Sequence, residues 1–280
     1  MQYTLNVGGQ LLDLSQPRVM GILNVTPDSF YADSRKQTEE AIRQRTQQIL
    51  DEGGDIIDIG AYSTRPGAAA VSQAEEMQRL RQALPIVRQV ASETVLAVET
   101  FRADVARMCV EEFGVAIVND VTGGQQDAQM FSTVARLGTP YVLTHSLGTA
   151  SAMQHTPQYD DLLKEVQLYF AERIQQLRDL GQKDIVLDPG FGFGKTLEHN
   201  YQLLNHLDLL KIFNLPILVG FSRKSMISKL LNITSEESLG GTIVCNTIAL
   251  TKGCAQMLRV HDVRAAVETV KIMKETMSFS

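Results

Sequence analysis

The sequence contains eight apolar runs, each bounded by turn-forming residues and separated from the next by a segment of helical period. The runs cover residues 18–26, 55–61, 94–100, 116–121, 140–145, 184–190, 216–222 and 255–261. They are continuously apolar rather than alternating, which is typical of parallel strands that are buried on both faces. One intervening segment begins with Ser72 and Glu75 at the spacing of a capping box, which predicts a helix start there.

Eight strand–helix units of about 30 to 35 residues favour a single (β/α)8 TIM barrel, whose typical length is about 250 residues. The chain has 280 residues, 44% of them hydrophobic, and contains no linker, low-complexity stretch or charge block. We therefore expect one α/β domain over residues 1–280. The alternative is an open doubly wound sheet, which usually has a glycine-rich turn after its first strand. Here that strand continues into "NVTPDSF" (24–30), so the barrel is preferred.

The net charge and the cysteines indicate what the protein is not expected to bind and where it is expected to work. The formal net charge is -6 and the sequence pI is about 5.4, which argues against a nucleic-acid-binding surface. The three cysteines have no metal-type spacing and are expected to be reduced core residues, as in a cytoplasmic protein. No basic and apolar leader opens the chain, and no segment approaches about 18 uninterrupted apolar residues. Neither export nor a membrane span is expected.

Polar side chains collect where the predicted strands end. In a barrel these carboxyl ends meet at one mouth, where the active site lies. A single Asn or Asp at a strand end is readily explained as a loop or helix cap. Polar residues on all eight ends favour an active site instead. They are Asn24, Asp28, Asp58, Ser63, Thr64, Arg65, Glu99, Thr100, Asn119, Asp120, His145, Asp188, Ser222, Arg223, Lys224, Arg259, His261 and Asp262.

Four of these side chains suit a flat nitrogen heterocycle. Glu99 and Asp188 offer carboxylates, Asn119 an amide and Lys224 an ammonium. Together they are able to hydrogen-bond both edges of a ring that presents donors and acceptors.

A second group of strand-end residues suits anions. Arg65, Arg259 and His261 supply cationic donors for phosphate or carboxylate oxygens. Asn24 and Asp28 carry oxygens suited to Mg2+, which prefers a few protein oxygens together with substrate phosphates.

The stretch "IVLDPGFGFGKT" (185–196) is similar to a phosphate-binding loop but has the wrong spacing. That loop needs four residues between its first glycine and the Gly-Lys pair, whereas Gly190 leaves three before Gly194 and Lys195. We interpret the stretch as a strand that delivers Asp188, followed by a loop whose glycines allow a close approach of backbone and ligand. Lys195 is interpreted as a solvated or capping residue without a catalytic role.

Six blocks of sequence resemble the dihydropteroate synthase family, and they occur in the family's order. They are "MGILNVTPDSF" (20–30), "GGDIIDIGAYSTRPGA" (53–68), "IVNDVTGG" (117–124), "IVLDPGFGFGKT" (185–196), "ILVGFSRKSMI" (217–227) and "LRVHDV" (258–263).

The resemblance implies a transferase of folate biosynthesis that sulfonamides inhibit. Its members join 4-aminobenzoate to 6-hydroxymethyl-7,8-dihydropterin diphosphate and release diphosphate, by an SN1-like order in which the bond to diphosphate breaks first. It also implies Mg2+ as cofactor, small molecules as partners and a homodimer formed through the late helices, such as "RAAVETVKIM" (264–273).

The resemblance also assigns residues to roles. The catalytic residues would be Asp188, Lys224, Arg259 and Asn24. The pterin would be bound by Glu99, Asn119, Asp188, Lys224 and Arg259. The 4-aminobenzoate pocket would comprise Thr64, Arg65, Pro66, Phe193, Lys224 and Ser225. The diphosphate would be received by Asn24, Arg259 and His261, and Asn24 would serve the metal.

The sequence departs from the family pattern at four places. The family normally has Asp where this chain has Glu99, and one extra methylene would misplace a bidentate contact unless the backbone retreats. Around His145 the usual Met-His-Met is replaced by "THS" (144–146), and this histidine is expected to be bonded within the barrel mouth rather than catalytic. Tyr62 replaces a frequent Glu, and "FYADSRKQ" (30–37) lacks the usual glycines.

Two alternatives stay open. One is a pterin-binding barrel that has lost turnover, for which Glu99 and the altered end of strand five are the reasons. The other is the pterin domain of a methyltransferase that serves a cobalamin partner. Such a domain has no use for "STRPG" (63–67) or "SRKS" (222–225), which count against it.

Overall fold

The computed structural model describes residues 3–25, 35–62, 71–146 and 158–278. Its strands are β1 (Thr4–Val7), β2 (Gln10–Asp13), β3 (Arg18–Asn24), β4 (Ile56–Gly60), β5 (Val95–Glu99), β6 (Ile117–Asp120), β7 (Tyr141–Thr144), β8 (Ile185–Asp188), β9 (Leu218–Val219) and β10 (Met257–Val260). Its α-helices are α1 (Arg35–Asp51), α2 (Gln73–Val90), α3 (Ala103–Phe113), α4 (Met130–Leu137), α5 (Leu162–Asp179), α6 (Leu197–Asn205), α7 (Ser225–Leu231), α8 (Leu239–Thr251) and α9 (Val263–Met277). Two short 3-10 helices cover Leu207–Phe213 and Glu236–Ser238.

Within these residues, eight parallel strands form a barrel in the order β8-β7-β6-β5-β4-β3-β10-β9. A single backbone bridge between Leu187 and Ile217 joins β8 to β9 and completes the circle. Helices connect successive strands, so both faces of each strand are buried, as the continuous apolar runs predict. The predicted TIM barrel is confirmed, and the open doubly wound sheet is wrong.

The first two strands form an antiparallel hairpin outside the barrel, which the sequence analysis did not predict. Leu5, Val7 and Leu14 from this segment are buried against one cluster of apolar side chains. The strand residues of the cluster come from the amino-terminal halves of all eight barrel strands: Met20, Ile56, Ala97, Ile117, Val142, Val186, Leu218 and Met257. The hairpin therefore closes the bottom of the barrel.

This apolar layer determines where the polar residues lie. Alternate residues of a strand face the same side, so the residue two positions after each member of the layer also faces the barrel interior. Those positions are Ile22, Asp58, Glu99, Asn119, Thr144, Asp188, Gly220 and Arg259. A polar layer therefore lies directly above an apolar one, at the carboxyl ends of the strands.

Helix α2 begins as predicted, although only half of the capping box forms. The Ser72 Oγ accepts from the Glu75 backbone N at 3.2 Å. The Glu75 carboxylate pairs with Arg79. Arg79 in turn donates to the Ala61 carbonyl at 2.9 Å, which fixes the chain just after β4.

The cysteines are core residues, as the sequence predicts. All three cysteines are buried and free. Among the described residues, no helix has both the length and the apolar character that a membrane span needs.

Candidate active site

Asp58 lies at the centre of the polar layer and is fully buried. Its Oδ2 accepts from Arg259 Nε at 2.6 Å and from Asn119 Nδ2 at 2.9 Å. One carboxylate thus orients a cation from β10 and an amide from β6. The sequence analysis noted Asp58 at a strand end but assigned it no role; its signal was an acid within the buried run "DIIDIG" (55–60).

Glu99 ends β5 and pairs with the other arm of Arg259, through Nη2. Both neighbouring strands are in regular register here, with Glu99 opposite Gly60 and Asn119, so the backbone does not retreat. The extra methylene is used instead to reach Arg259. Burial raises the pKa of Glu99, Arg259 opposes this shift, and Asp58 adds to it. Although burial favours the neutral guanidinium, the carboxylates of Glu99 and Asp58 raise the pKa of Arg259 above its ordinary value.

Asp188 ends β8 and is 5% exposed. Its Oδ1 accepts from the Gly190 backbone N at 2.8 Å, a contact that the following turn provides. Burial raises the pKa of Asp188, while the Lys224 ammonium and the Gly190 bond lower it. The second carboxylate oxygen is available to a ring N–H or amino group.

Lys224 precedes α7 and turns back over the barrel mouth. Its Nζ donates to the Phe191 carbonyl and lies 4.7 Å from the centre of the Phe193 ring. It passes close to Gly220, since a Cβ there would be in van der Waals contact with Nζ at 3.7 Å and with the Arg259 Cβ at 3.9 Å. Burial lowers the pKa of Lys224 to about 8, an effect that Asp188 opposes.

The turn before Lys224 is held by an ion pair. Arg223 has a φ of 57°, a left-handed conformation that costs a side-chain-bearing residue roughly 1–2 kcal/mol. Two bonds from its guanidinium to Asp262 stabilise this turn, at 2.7 and 3.1 Å. The pair also joins the end of β9 to the start of α9, next to His261.

Asn24 and His261 lie on another side of the mouth, at the ends of β3 and β10. A Cβ on Gly60 would be 3.8 Å from Asn24 Oδ1 and 3.7 Å from Glu99 Cβ, so these two side chains pass over the same glycine. His261 Nδ1 lies 3.0 Å from Ser222 Oγ. Both Asn24 and His261 line a cavity of about 790 Å³ that extends between α1 and α9.

The described residues fit a magnesium ion only if substrate phosphates complete its coordination. Among them, no group of three or more His, Cys, Asp or Glu side chains is placed to hold a metal. Asn24 offers one exposed amide oxygen beside Glu99. Mg2+ accepts such a site, because it usually keeps waters and phosphate oxygens as its other ligands.

Most of the predicted site residues meet at this mouth. Glu99, Asn119, Asp188, Lys224 and Arg259 surround its centre, and Phe193 lies beside Lys224. Ser225 is exposed at the start of α7, directly after Lys224. Thr64, Arg65 and Pro66, together with Asp28, lie outside the described residues.

The interpretation of Lys195 as solvated or capping is wrong. Its Nζ lies 2.9 Å from His145 Nδ1 and donates to the carbonyls of Gly190 and Phe193 at 2.9 and 3.2 Å. Burial lowers the pKa of Lys195 to about 7. His145 is 1% exposed and bonded beneath the mouth, which confirms the expectation of a structural histidine.

Several buried polar atoms near the mouth lack a hydrogen-bond partner among the described residues. They include Asp58 Oδ1, Asn119 Oδ1 and Thr144 Oγ1. All three residues belong to the interior polar layer. Buried polar groups are rarely left unpaired, so this layer is suited to a polar ligand that supplies complementary donors.

The comparisons with known proteins agree with this geometry. Residues 20–261 match the family described as "Pterin binding enzyme". The dihydropteroate synthase of Escherichia coli (strain K12) is 42% identical over 274 residues, which cover 96% of this chain and 95% of that protein. A Yersinia pestis dihydropteroate synthase in a sulfonamide drug complex superposes with a TM-score of 0.89 at 41% identity, covering 99% of this chain and 100% of the other. A Xanthomonas albilineans dihydropteroate synthase with 4-aminobenzoic acid gives 0.88 at 37% identity, with 99% of both chains covered. The chain belongs to the dihydropteroate synthase family of pterin-binding enzymes.

Proposed function

We propose that this chain condenses 6-hydroxymethyl-7,8-dihydropterin diphosphate with 4-aminobenzoate, giving dihydropteroate and diphosphate. The carbon–oxygen bond to diphosphate breaks first and its electron pair leaves with the diphosphate. The aryl amine then attacks the methylene carbon and loses a proton. The observation that carries this proposal is the barrel mouth, where the carboxylates of Asp58, Glu99 and Asp188 and the Asn119 amide meet the Lys224 ammonium and the Arg259 guanidinium.

The pterin would lie above Asp58 and Asn119. Asp188 has a free carboxylate oxygen for the ring's amino group and N–H, and the same negative charge stabilises the cation that forms when diphosphate departs. Lys224 and Asn119 supply a donor and an acceptor to the ring's other polar atoms. Glu99 and Arg259 border this space from β5 and β10.

The diphosphate would lie towards Asn24, Arg259 and His261. Positive charge placed before the reaction stabilises the growing charge of the leaving group without reorganisation. Asn24 would contribute to holding Mg2+, which supplies Lewis-acid stabilisation of phosphate oxygens when bound. Arg259 is already oriented by Asp58 Oδ2, so its guanidinium is held in place before substrate arrives.

The aminobenzoate would lie beside Phe193, Lys224 and Ser225, which meet next to the pterin space. Thr64, Arg65 and Pro66 are proposed for the same pocket on the resemblance alone. In this arrangement Lys224 lies between the two substrates, because its Nζ lies near both the Phe193 ring and Asp188. No covalent nucleophile is needed, since the amine attacks the pterin directly.

The test is a single-turnover assay with pterin diphosphate, Mg2+ and labelled 4-aminobenzoate. Formation of labelled dihydropteroate with equal release of diphosphate is the expected result. Binding of the pterin compound without release of diphosphate would contradict the proposal and favour a barrel that binds pterins without turnover.

We further propose a homodimer in the cytoplasm. Helices α7 and α8 carry large apolar side chains on the surface, including Leu230, Leu231, Val244 and Ile248. Such a contiguous face is typical of a subunit interface. Light scattering at micromolar concentration should give twice the chain mass of 31.0 kDa.

A further inference from the structure

Lys195 supports the glycine loop, defined here as residues 189–194, from behind. Its ammonium has three N–H donors. Three acceptors lie within 3.2 Å of it: the Gly190 carbonyl at 2.9 Å, the Phe193 carbonyl at 3.2 Å and His145 Nδ1 at 2.9 Å. The His145 carbonyl is more distant, at 3.4 Å. One side chain therefore ties both ends of the glycine loop to the end of β7.

His145 is suited to accept from this ammonium. Burial lowers the pKa of His145 well below its ordinary value, and the Lys195 charge lowers it further, so the imidazole is neutral. The glycine loop also rests directly on this residue, because a Cβ on Gly190 would lie 1.9 Å from the His145 carbonyl oxygen. Gly190 has a φ of 69°, which favours glycine here. Because of this contact, the loop cannot move closer to His145 when Lys195 is replaced.

The opposite face of the glycine loop forms one wall of the proposed aminobenzoate pocket. The Phe191 carbonyl accepts from Lys224 Nζ, and the Phe193 ring lies 4.7 Å from the same atom. A Cβ on Gly192 would be 3.3 Å from Lys224 Cδ, so the loop backbone touches the lysine stem. The position of Phe193 therefore depends on the loop, of which it is part, whereas Lys224 only contacts the loop.

Asp188 is held mainly by the sheet, although its carboxylate also accepts from Gly190 N of the loop and the Lys195 charge lowers its pKa. It is paired with Thr144 in the β7–β8 register, and its backbone carbonyl accepts from the His145 N at 2.8 Å. The sheet itself thus holds the acid that faces the pterin. The proposed pterin pocket is therefore fixed mainly by the sheet, and the proposed aminobenzoate pocket mainly by the glycine loop.

We propose that Lys195 is a positioning residue for the arylamine substrate, acting through Phe193 without touching the substrate itself. This inference rests on the proposed synthase function and adds a residue to it. Loss of the ammonium leaves the Phe193 carbonyl without its Lys195 donor and the Gly190 carbonyl with only the Phe193 backbone N, at 3.0 Å, which loosens the loop that carries Phe193.

The test compares Lys195→Met with Lys252→Met. Lys252 is the matched control, because its ammonium also donates to a backbone carbonyl, that of Asn205 at 2.8 Å, outside the barrel mouth. For Lys195→Met we expect the KM for 4-aminobenzoate to rise at least about tenfold. The KM for pterin diphosphate should change less than about threefold. Lys252→Met should leave both constants unchanged.

Equal changes in both KM values, or an unchanged KM for 4-aminobenzoate in a folded variant, would overturn the proposal. If Lys195→Met does not fold, Lys195→Gln carries the test, since its amide keeps two donors and should give a smaller rise in the same constant. Calorimetric titration of each variant with 4-aminobenzoate and with pterin diphosphate gives the same comparison without turnover. A wild-type protein that binds both compounds but forms no dihydropteroate would refute the proposed function. The role of Lys195 would still be decided, by whether Lys195→Met loses more affinity for 4-aminobenzoate than for pterin diphosphate.

Discussion

Arg259 and Asp58 are 201 residues apart in the chain and meet inside the barrel, with Nε 2.6 Å from Oδ2. The same oxygen accepts from Asn119, so one buried carboxylate orients two side chains of the proposed pterin pocket. Orientation of this kind, by a group that need not touch the substrate, is a common means of holding a site in its productive geometry.

Asp58→Asn should therefore weaken binding of pterin diphosphate. The amide removes the negative charge opposite Arg259, and breaking a buried ion pair costs about 3–5 kcal/mol. We expect a lower melting temperature and a loss of affinity of at least about tenfold in calorimetry. Asp55→Asn is the control, because Asp55 forms a partly exposed pair with Arg18 at the start of β3. Equal effects of the two substitutions would show that Asp58 has no special part in the site.

Glu99→Asp should preserve synthase activity. The backbone at β5 keeps a regular register, so an aspartate would lie where the family usually has one, while its shorter side chain would withdraw from Arg259. We expect kcat/KM to stay within about threefold of wild type or to rise. A decrease of more than tenfold in steady-state assays would mean that the longer acid is required at this position.

The ionisation of Lys224 should appear in the pH dependence of binding. Its pKa is lowered to about 8, mainly by burial. The ammonium is therefore present below about pH 8 and is lost as the pH rises through that value, so the affinity for 4-aminobenzoate should fall above it. Calorimetry between pH 6.5 and 9.5 measures this directly. In Lys224→Arg the part of the decline centred near pH 8 should disappear, because the guanidinium stays charged throughout this range.

Arg45→Met should weaken product inhibition by diphosphate. The guanidinium of Arg45 donates to the His261 carbonyl at 2.6 Å and to the Ile22 carbonyl at 3.3 Å. It thereby joins the ends of the two strands that carry His261 and Asn24. We expect the inhibition constant for diphosphate to rise about tenfold while the KM for 4-aminobenzoate is unchanged.

Arg43→Met provides the matched control for that experiment. Arg43 lies on the same helix but bonds to Gln89 on the protein surface, at 2.7 Å. It should leave the inhibition constant as in wild type. A similar rise in both variants would point to a general effect on α1.

Leu5→Ala should reduce stability without affecting binding. Leu5 is 1% exposed and packs against the apolar layer at the bottom of the barrel. A cavity of this kind costs about 2–5 kcal/mol in the free energy of unfolding. Urea titration should detect that loss, while both KM values stay within about twofold, since the polar layer lies at the opposite end. A large change in either constant would show that the two ends of the barrel are coupled.

The fold and most of the site were predictable because each rests on local sequence patterns. Continuous apolar runs gave the strands, and the geometry of a parallel barrel places their last residues at one mouth. The hairpin Thr4–Asp13 was missed although β1 alternates and Gly8-Gly9 is a hairpin turn signal, because its two strands have only four residues each and β2 does not alternate. The ion pair between Asp58 and Arg259 was also missed. The sequence indicates that both residues lie at strand ends, but not that they bind each other.

Lys195 illustrates a different limit of sequence reasoning. A lysine after Phe-Gly looks like a surface residue, because lysine is usually exposed. What places it inside is the course of the glycine loop, which offers three acceptors around one point. These acceptors are backbone and ring atoms, and their arrangement in space is not visible in the spacing of residue types along the sequence.

The closing contact of the barrel has a thermodynamic consequence. Between β8 and β9 there is one bridge, from Leu187 to Ile217, and β9 itself has two residues. Asp188 lies at the end of β8 and Lys224 lies after β9, so a pterin bound as proposed would span the junction between these two strands. The free energy of ligand binding would then stabilise this junction against local opening. Amide hydrogens along β9 should therefore exchange with deuterium more slowly in the complex than in the empty protein.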